Sequence, residues 1–338
     1  MDKVKVLYMG GYWATNIGNA FYELGIRHLL NQMESKIELF LCSDVQEYAW
    51  AQYNASGVKA FNSCEHFQNM DYLIIGGPML SKADLTALQS TIEYAKKKGT
   101  KVVFLSAGGN AYTDQERREV RDLLGQFKLY ALISRDHETF EWYGDLFERS
   151  YDGICCAFYI PEYFKPYKLN MNPYVVFNFE TYMEPSFVED MSGFEFAEKK
   201  WKIKGEKKKL SSFKASFYDY PEQAFHNFNI VRTKNTCFKP NEKRYHGANI
   251  YLSDVPMDYL NIFANSEAVF SDRVHSCVAA LALGIPAMFL GKTPRSKLFN
   301  SVIDDNKRNI ESELVQIDIN ILNSKRDAQR KALMEILI

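Results

Sequence analysis

Two side chains two residues apart, Arg273 and His275, offer the most legible chemistry in this chain. They lie in Ser271-Asp272-Arg273-Val274-His275, between an apolar run at Ala268–Phe270 and a helical run that Gly284 and Pro286 stop before Ala287–Leu290. Ser271 or Asp272 is placed to cap that helix. A helix N-terminus presents unpaired backbone N–H groups and a partial positive charge, so a phosphate or carboxylate is stabilised there. Arg273 adds a rigid fork of donors, and His275 is the one nearby side chain able to exchange a proton near neutral pH. A capping Asp beside a solvated Arg is the ordinary reading of such a turn. Arg and His together at the carboxyl end of a strand favour an anion site.

Other loops of small residues could face the same anion. Val4–Met9 reads as a strand leading into Gly10–Asn19, which holds Asn16, Gly18 and Asn19. Gly18 has no Cβ to keep a ligand from the backbone, although the spacing is not the dinucleotide fingerprint and a plain tight turn explains it equally well. Asp71–Ile75 runs into Gly76-Gly77-Pro78, Lys101–Leu105 into Ser106–Asn110, and Tyr130–Ile133 into Ser134-Arg135-Asp136. Arg135 is either a second cation for a ligand or a partner of Asp136.

The elements that must position these residues alternate. A helix after the Gly10–Asn19 loop (Ile26, Leu29, Leu30 and Met33 on one face) and helical patterns over Leu85–Lys98 and Asp114–Gln126 separate the strands, Ile37–Cys42 among them. This alternation predicts an α/β fold with parallel sheets and helices on both faces. At 338 residues the chain fits two domains, 1–165 and 166–338, with Tyr159–Asn172 as linker because it carries Pro161 and Pro166 and little periodicity. Tyr174–Asn178, Asn229–Arg232 and Ile250–Leu252 read as strands of the second domain, and Met257–Asn265 as a helix. The terminal helix Ser324–Leu337 has Leu333, Ile336 and Leu337 on its packing side and is expected to return to the N-terminal domain.

Composition narrows the function. With 41 Lys plus Arg against 42 Asp plus Glu, the net charge of -1 argues against a general nucleic-acid binder. The six cysteines show no metal spacing and no acidic cluster stands out, so no metal and no cofactor are expected. No signal-peptide pattern opens the chain, and no run approaches the roughly 20 apolar residues of a spanning helix, so the protein is expected in the cytoplasm. Eight lysines around Trp201 in Lys199–Lys214 form a solvated face or, alternatively, a peripheral contact with anionic lipid at the inner face of the membrane.

Taken together, Asn16-Ile17-Gly18-Asn19, Asp71–Gly77, Ser134-Arg135-Asp136 and Ser271–His275 followed by Ala-Leu-Ala-Leu-Gly-Ile-Pro resemble the polysaccharide pyruvyl transferase family. The last motif is the specific one. The resemblance implies two Rossmann-like domains facing across a cleft in the arrangement called GT-B. It also implies transfer of pyruvate from phosphoenolpyruvate to a sugar of a cell-surface polysaccharide or its lipid-linked precursor. Arg273 and His275 carry the Arg-x-His motif that binds the donor, with the Val274 N–H, Arg135 and Ser271 as further donor contacts. Asn16, Gly18, Asn19, Gly76 and Gly77 fall to the acceptor or cleft loops. Two departures stand out: Asn19 replaces the usual acid of Asn-x-Gly-Asp, and Pro78 replaces a third glycine.

Ketal formation needs a proton at the donor's methylene carbon, attack by a sugar hydroxyl and departure of phosphate. His275 is expected to handle the proton, its pKa lowered by the helix N-terminus and raised by bound phosphate. The alternative is a GT-B glycosyltransferase using a nucleotide sugar, which shares the cleft and the helix-end anion site. A non-catalytic polysaccharide-binding protein would lack small-anion binding altogether.

Overall fold

The computed structural model describes residues 3–10, 13, 16–43, 63–182, 184, 186–190, 200–204, 224–225, 227–236, 249–303 and 309–338. The first half of the chain builds a parallel sheet from β1 (Val4–Gly10), β2 (Ile37–Ser43), β3 (Tyr72–Gly76), β4 (Lys101–Ala107), β5 (Leu129–Ser134) and β6 (Phe147–Tyr151), in the order β2-β1-β3-β4-β5-β6. Strands covered on both faces must be apolar throughout, as β3 is: all five of its residues are buried. Alternate side chains feed two cores. Leu7, Leu73 and Phe104 pack with α2 (Lys82–Lys97) and α3 (Asp114–Phe127), whereas Tyr8, Ile74 and Val103 pack with α1 (Ile17–Asn31). Polar side chains start these helices: Asn16, Ser81 and Thr113 each accept a first-turn N–H, and Asp136 does so for α4 (His137–Tyr143).

After α5 (Ile160–Tyr163), the second half adds β7 (Tyr174–Asn178), an antiparallel ribbon of β8 (Ser186–Asp190) and β9 (Lys200–Lys204), then β10 (Ala224–Phe225), β11 (Phe228–Thr233), β12 (Ile250–Tyr251), β13 (Val269–Ser271) and β14 (Ala287–Phe289). Its main sheet runs β10-β11-β7-β13-β14, with β12 pairing β11. The helices are α6 (Pro256–Ala264), α7 (Val274–Ala282) and α8 (Ile319–Leu337).

Two expectations change, and one strand goes unanticipated. β6 had no apolar run to announce it: it is an edge strand, Phe-Glu-Arg-Ser-Tyr, whose middle residues are exposed. The segment assigned as linker, Tyr159–Asn172, begins in the core: Tyr159, Ile160 and Phe164 are buried, and the residues just before it lie so close to α1 that a Cβ on Gly25 would collide with the Cys156 carbonyl. Only the stretch from Lys165 to Pro173 is largely exposed. The capping of α7 by Ser271 or Asp272 does not occur: the N-cap is Arg273, without a side-chain cap. The lysine-rich surface at Lys199–Lys214 appears only as the β9 backbone, and the rest of it lies outside the described residues.

Helix α8 returns to the first sheet. Gln329 accepts the Ile154 N–H at 2.7 Å, the Tyr72 hydroxyl donates to the Ile336 carbonyl at 3.2 Å, and Arg330 holds both oxygens of Glu162 at 2.8 and 2.7 Å. The two halves share one continuous core, in which Phe21 of α1 meets Phe263 of α6 edge to face. No helix among the described residues is long and apolar enough to cross a membrane.

Candidate active site

Each sheet reverses its winding once, and the loops at those two points face each other. In the first sheet β2 and β3 flank β1, so the switch point lies between the loops that follow β1 and β3. In the second, β11 and β13 flank β7, and the loops after β7 and β13 carry Thr181, Tyr182, Asp272 and Arg273. The cleft between these loop sets encloses about 730 Å³, part of it open to solvent, and Asn16, Asn19, Arg135, Arg273, Val274 and His275 all line it.

Buried polar contacts fix the second sheet's rim. The Ser271 hydroxyl donates toward Asn178 and accepts the Arg273 N–H at 2.8 Å, and the Asn178 amide donates to Thr233 and Asn235. Ser271 is fully buried, so it supports the site instead of touching ligand as expected. Asp272 turns away from the helix, and its carboxylate accepts the N–H groups of Glu180, Thr181 and Tyr182 at 2.6–3.2 Å. Glu180 in turn accepts from the Asn235 and Thr236 backbones. The chain of contacts ends in the other half, where the Ile17 N–H donates to the Asn235 carbonyl at 2.6 Å. Thus the loop after β1 is fastened to the rim that bears Arg273.

Burial outweighs those three N–H contacts and raises the Asp272 pKa from 3.8 to about 6. A carboxyl whose pKa rises on folding adds stability that is full below its unfolded value and is lost as pH climbs through the folded one. The stability advantage of wild type over Asp272→Asn is therefore expected to shrink between about pH 4 and pH 6.5. Thermal unfolding of both proteins across that range checks this, and a constant difference contradicts it.

His275 sits at the start of α7 with its ring 5.2 Å from that of Tyr22. Its Nε2 is buried and has no hydrogen-bond partner among the described residues. Burial, then the charges of Arg135, Arg295 and Arg273, hold its pKa well below the usual 6.5, so the imidazole is neutral without ligand. Burial and three guanidinium groups thus lower it at the helix N-terminus, the position where the sequence predicted a lowered value.

The glycines work from behind. A Cβ on Gly18 would lie 2.9 Å from the Asn235 amide and 3.3 Å from the His275 Cβ. Gly76 is packed against Ile26 and Tyr8, and Gly77, at φ +86°, would place a Cβ 2.6 Å from the Tyr22 ring. Neither Gly76 nor Gly77 lines the cleft with Pro78, so the expected acceptor contact becomes a packing role behind Tyr22 and His275. Gly77→Ala combines left-handed backbone strain of about 1–2 kcal/mol with displacement of a stiff ring. It is expected to lower the unfolding midpoint and to broaden or shift the His275 imidazole NMR signal; an unchanged signal would show that Tyr22 does not set the ring's position.

Arg135 is 1 % exposed, with its Nη2 donating to the Gly109 carbonyl at 3.1 Å and its Nε 3.6 Å from Asp136. Arg135 thus neighbours Asp136 and also lines the cleft. Gly108 is needed beside it, because a Cβ there would overlap the guanidinium. The structure gives Asp272 a different role, as a loop holder, and adds residues that sequence reasoning did not single out: Glu180 as a second loop holder, Asn235 as the bridge, and Arg295 as a third arginine lining the cleft. In the sequence, Arg295 shows only as part of a basic segment, Lys292–Ser296, that follows an apolar run.

The model of the polysaccharide pyruvyl transferase family matches residues 16–292, which span the loop after β1 through the loop after β14. The chain belongs to that family. It is accordingly a transferase, and its Arg273-Val274-His275 stands at the mouth of a helix in the cleft between two Rossmann-like halves. No curated relative matches it in sequence. Among solved structures it is similar to S. aureus MnaA with UDP, at 12 % identity and a TM-score of 0.55, covering 99 % of this chain and 98 % of that one. It is also similar to a protein assigned as UDP-N-acetylglucosamine 2-epimerase from Listeria monocytogenes, at 11 % identity and a TM-score of 0.52, covering 98 % and 91 %. At such identity the likeness bears on fold alone, and places this pyruvyl transferase among the GT-B-type proteins. Among the described residues no group of three or more His, Cys, Asp or Glu could hold a metal ion.

Proposed function

We propose that this pyruvyl transferase moves pyruvate from phosphoenolpyruvate to a sugar of a cell-surface polysaccharide or its lipid-linked precursor, forming a cyclic ketal. The observation that carries the proposal is the convergence of Arg135, Arg273 and Arg295 on the end of α7, beside a neutral histidine whose Nε2 lacks a partner among the described residues. Such a cluster is electrostatically incomplete without an anion, and a donor bearing both a carboxylate and a phosphate completes it.

The reaction balances with two sugar hydroxyls. One proton goes to the methylene carbon, which becomes methyl, while the two hydroxyl oxygens bond to the adjacent carbon. The bond from that carbon to the phosphate oxygen breaks, and phosphate leaves with the second proton. Arginine donors and the α7 N–H groups stabilise the departing charge, an effect of roughly 3–4 kcal/mol per well-placed donor. Once donor charge offsets the three guanidinium groups, His275 can hold a proton for delivery to the methylene carbon.

Calorimetric titration tests the reading. Phosphoenolpyruvate is expected to bind in the micromolar to millimolar range common for substrates, and UDP-N-acetylglucosamine and other nucleotide sugars to bind far more weakly. The reverse preference would favour the glycosyltransferase reading and overturn this one, and absence of any anion binding would point to a non-catalytic protein.

A further inference from the structure

We propose that Arg295 is a donor-site residue that grips the phosphate of phosphoenolpyruvate, from a segment tied across the cleft to the opposite half. The inference rests on the reading of the donor given above and adds which group holds which end of it. Arg295 follows β14 and lines the same cleft as Arg273 and His275. Its guanidinium donates to the Asn110 side-chain carbonyl on the first sheet's rim. That rim loop is itself fixed, because the Glu116 carboxylate accepts the N–H groups of Asn110, Ala111 and Tyr112 at 2.8–3.3 Å. The base of the arginine is fixed as well: Thr293 caps the 3₁₀ helix Pro294–Ser301, Leu298 and Phe299 are buried beneath it, and Lys297 pairs with Glu138 of the other half.

Arg295 is the least neutralised of the three arginines. Arg135 has Asp136 at 3.6 Å and Arg273 has Glu180 at 4.0 Å, whereas Arg295 makes no ion pair within 4 Å among the described residues. Burial first, then Arg135 and Arg273, keep its pKa below the usual guanidinium range against the opposing pull of Tyr112 and Asp84. Two anionic groups share three guanidinium groups. A carboxylate is satisfied by one bidentate arginine, whereas a phosphate offers three terminal oxygens. Arg273 and Arg295 come from the half that also supplies the α7 N-terminus, the natural phosphate site, and Arg135 faces them from the other half. The phosphate therefore falls to Arg273, Arg295 and α7, and the carboxylate to Arg135.

Competition binding separates these roles, with phosphoenolpyruvate, inorganic phosphate and pyruvate as probes on the whole protein. Arg295→Ala is expected to weaken phosphoenolpyruvate and inorganic phosphate alike, by about 10–100-fold for a lost charged hydrogen bond, and to leave pyruvate unchanged. Arg295→Lys should recover part of the loss, since a lysine keeps the charge without the fork. Loss of pyruvate binding with phosphate unaffected would assign Arg295 to the carboxylate and overturn the proposal. So would a purely structural effect, in which Arg295→Ala and Asn110→Ala lower the unfolding midpoint equally and neither changes phosphate affinity. Failure of the donor reading itself is distinguishable, because wild type would then bind no phosphoenolpyruvate.

Discussion

Replacing Arg273 with Ala is expected to lower turnover by about 10²–10³-fold, the loss typical of one preorganised donor at a developing oxyanion. Arg273 is three-quarters buried at the head of α7, with its N–H fixed by Ser271 and its side chain facing the cleft near Glu180. Removing the guanidinium leaves Glu180 closer to an anionic donor without a cation between them, so binding should weaken along with the chemical step. Arg273→Lys should recover only part of the activity, because a point charge replaces a bidentate fork. Steady-state rates with phosphoenolpyruvate and phosphate release as the readout check this. Turnover near wild type in Arg273→Ala would remove the donor site from this helix end.

His275→Ala should cost about 10²–10⁴-fold, the usual range for general acid–base catalysis. Its expected pH behaviour separates a proton carrier from a packing residue. In the free protein the ring is neutral because burial and Arg135, Arg295 and Arg273 depress its pKa. A group with a depressed pKa on folding contributes stability present above the unfolded value of 6.5 and lost as pH falls below it. Bound donor offsets the positive charges, so donor binding should raise the ring's pKa and draw a proton from solution. Calorimetry at about pH 6.5 in buffers of different ionisation heat measures that uptake: His275→Ala should abolish it, whereas a packing histidine would leave it unchanged.

Much of the fold was legible because its strands are buried on both faces and separated by amphipathic helices. Val4–Met9, Tyr174–Asn178 and the stripe of Ile26, Leu29, Leu30 and Met33 could be read from apolar pattern alone. β6 escaped because an edge strand that faces water has no such run. The site was legible only where chemistry is local. Arg273 and His275 sit within one turn of a helix start, so spacing reveals them. Asp272 looked like a cap, and only the loop after β7, ninety residues earlier in the chain, shows which N–H groups it accepts. Arg295 depends on a bond to Asn110, 185 positions away, which no pattern in one sequence exposes. The glycines illustrate the same limit, since Gly77 looked like a ligand loop and instead makes room for the ring that supports His275.

The most direct test of pyruvyl transfer in this cleft is a crystal structure with phosphoenolpyruvate bound. Its phosphate oxygens are expected within about 3 Å of the Arg273 and Arg295 guanidinium groups and the first N–H groups of α7, the range for charge-assisted hydrogen bonds, with the carboxylate on Arg135 and the methylene carbon facing His275. A donor that lies elsewhere, or with neither anionic group at the end of α7, would contradict the account.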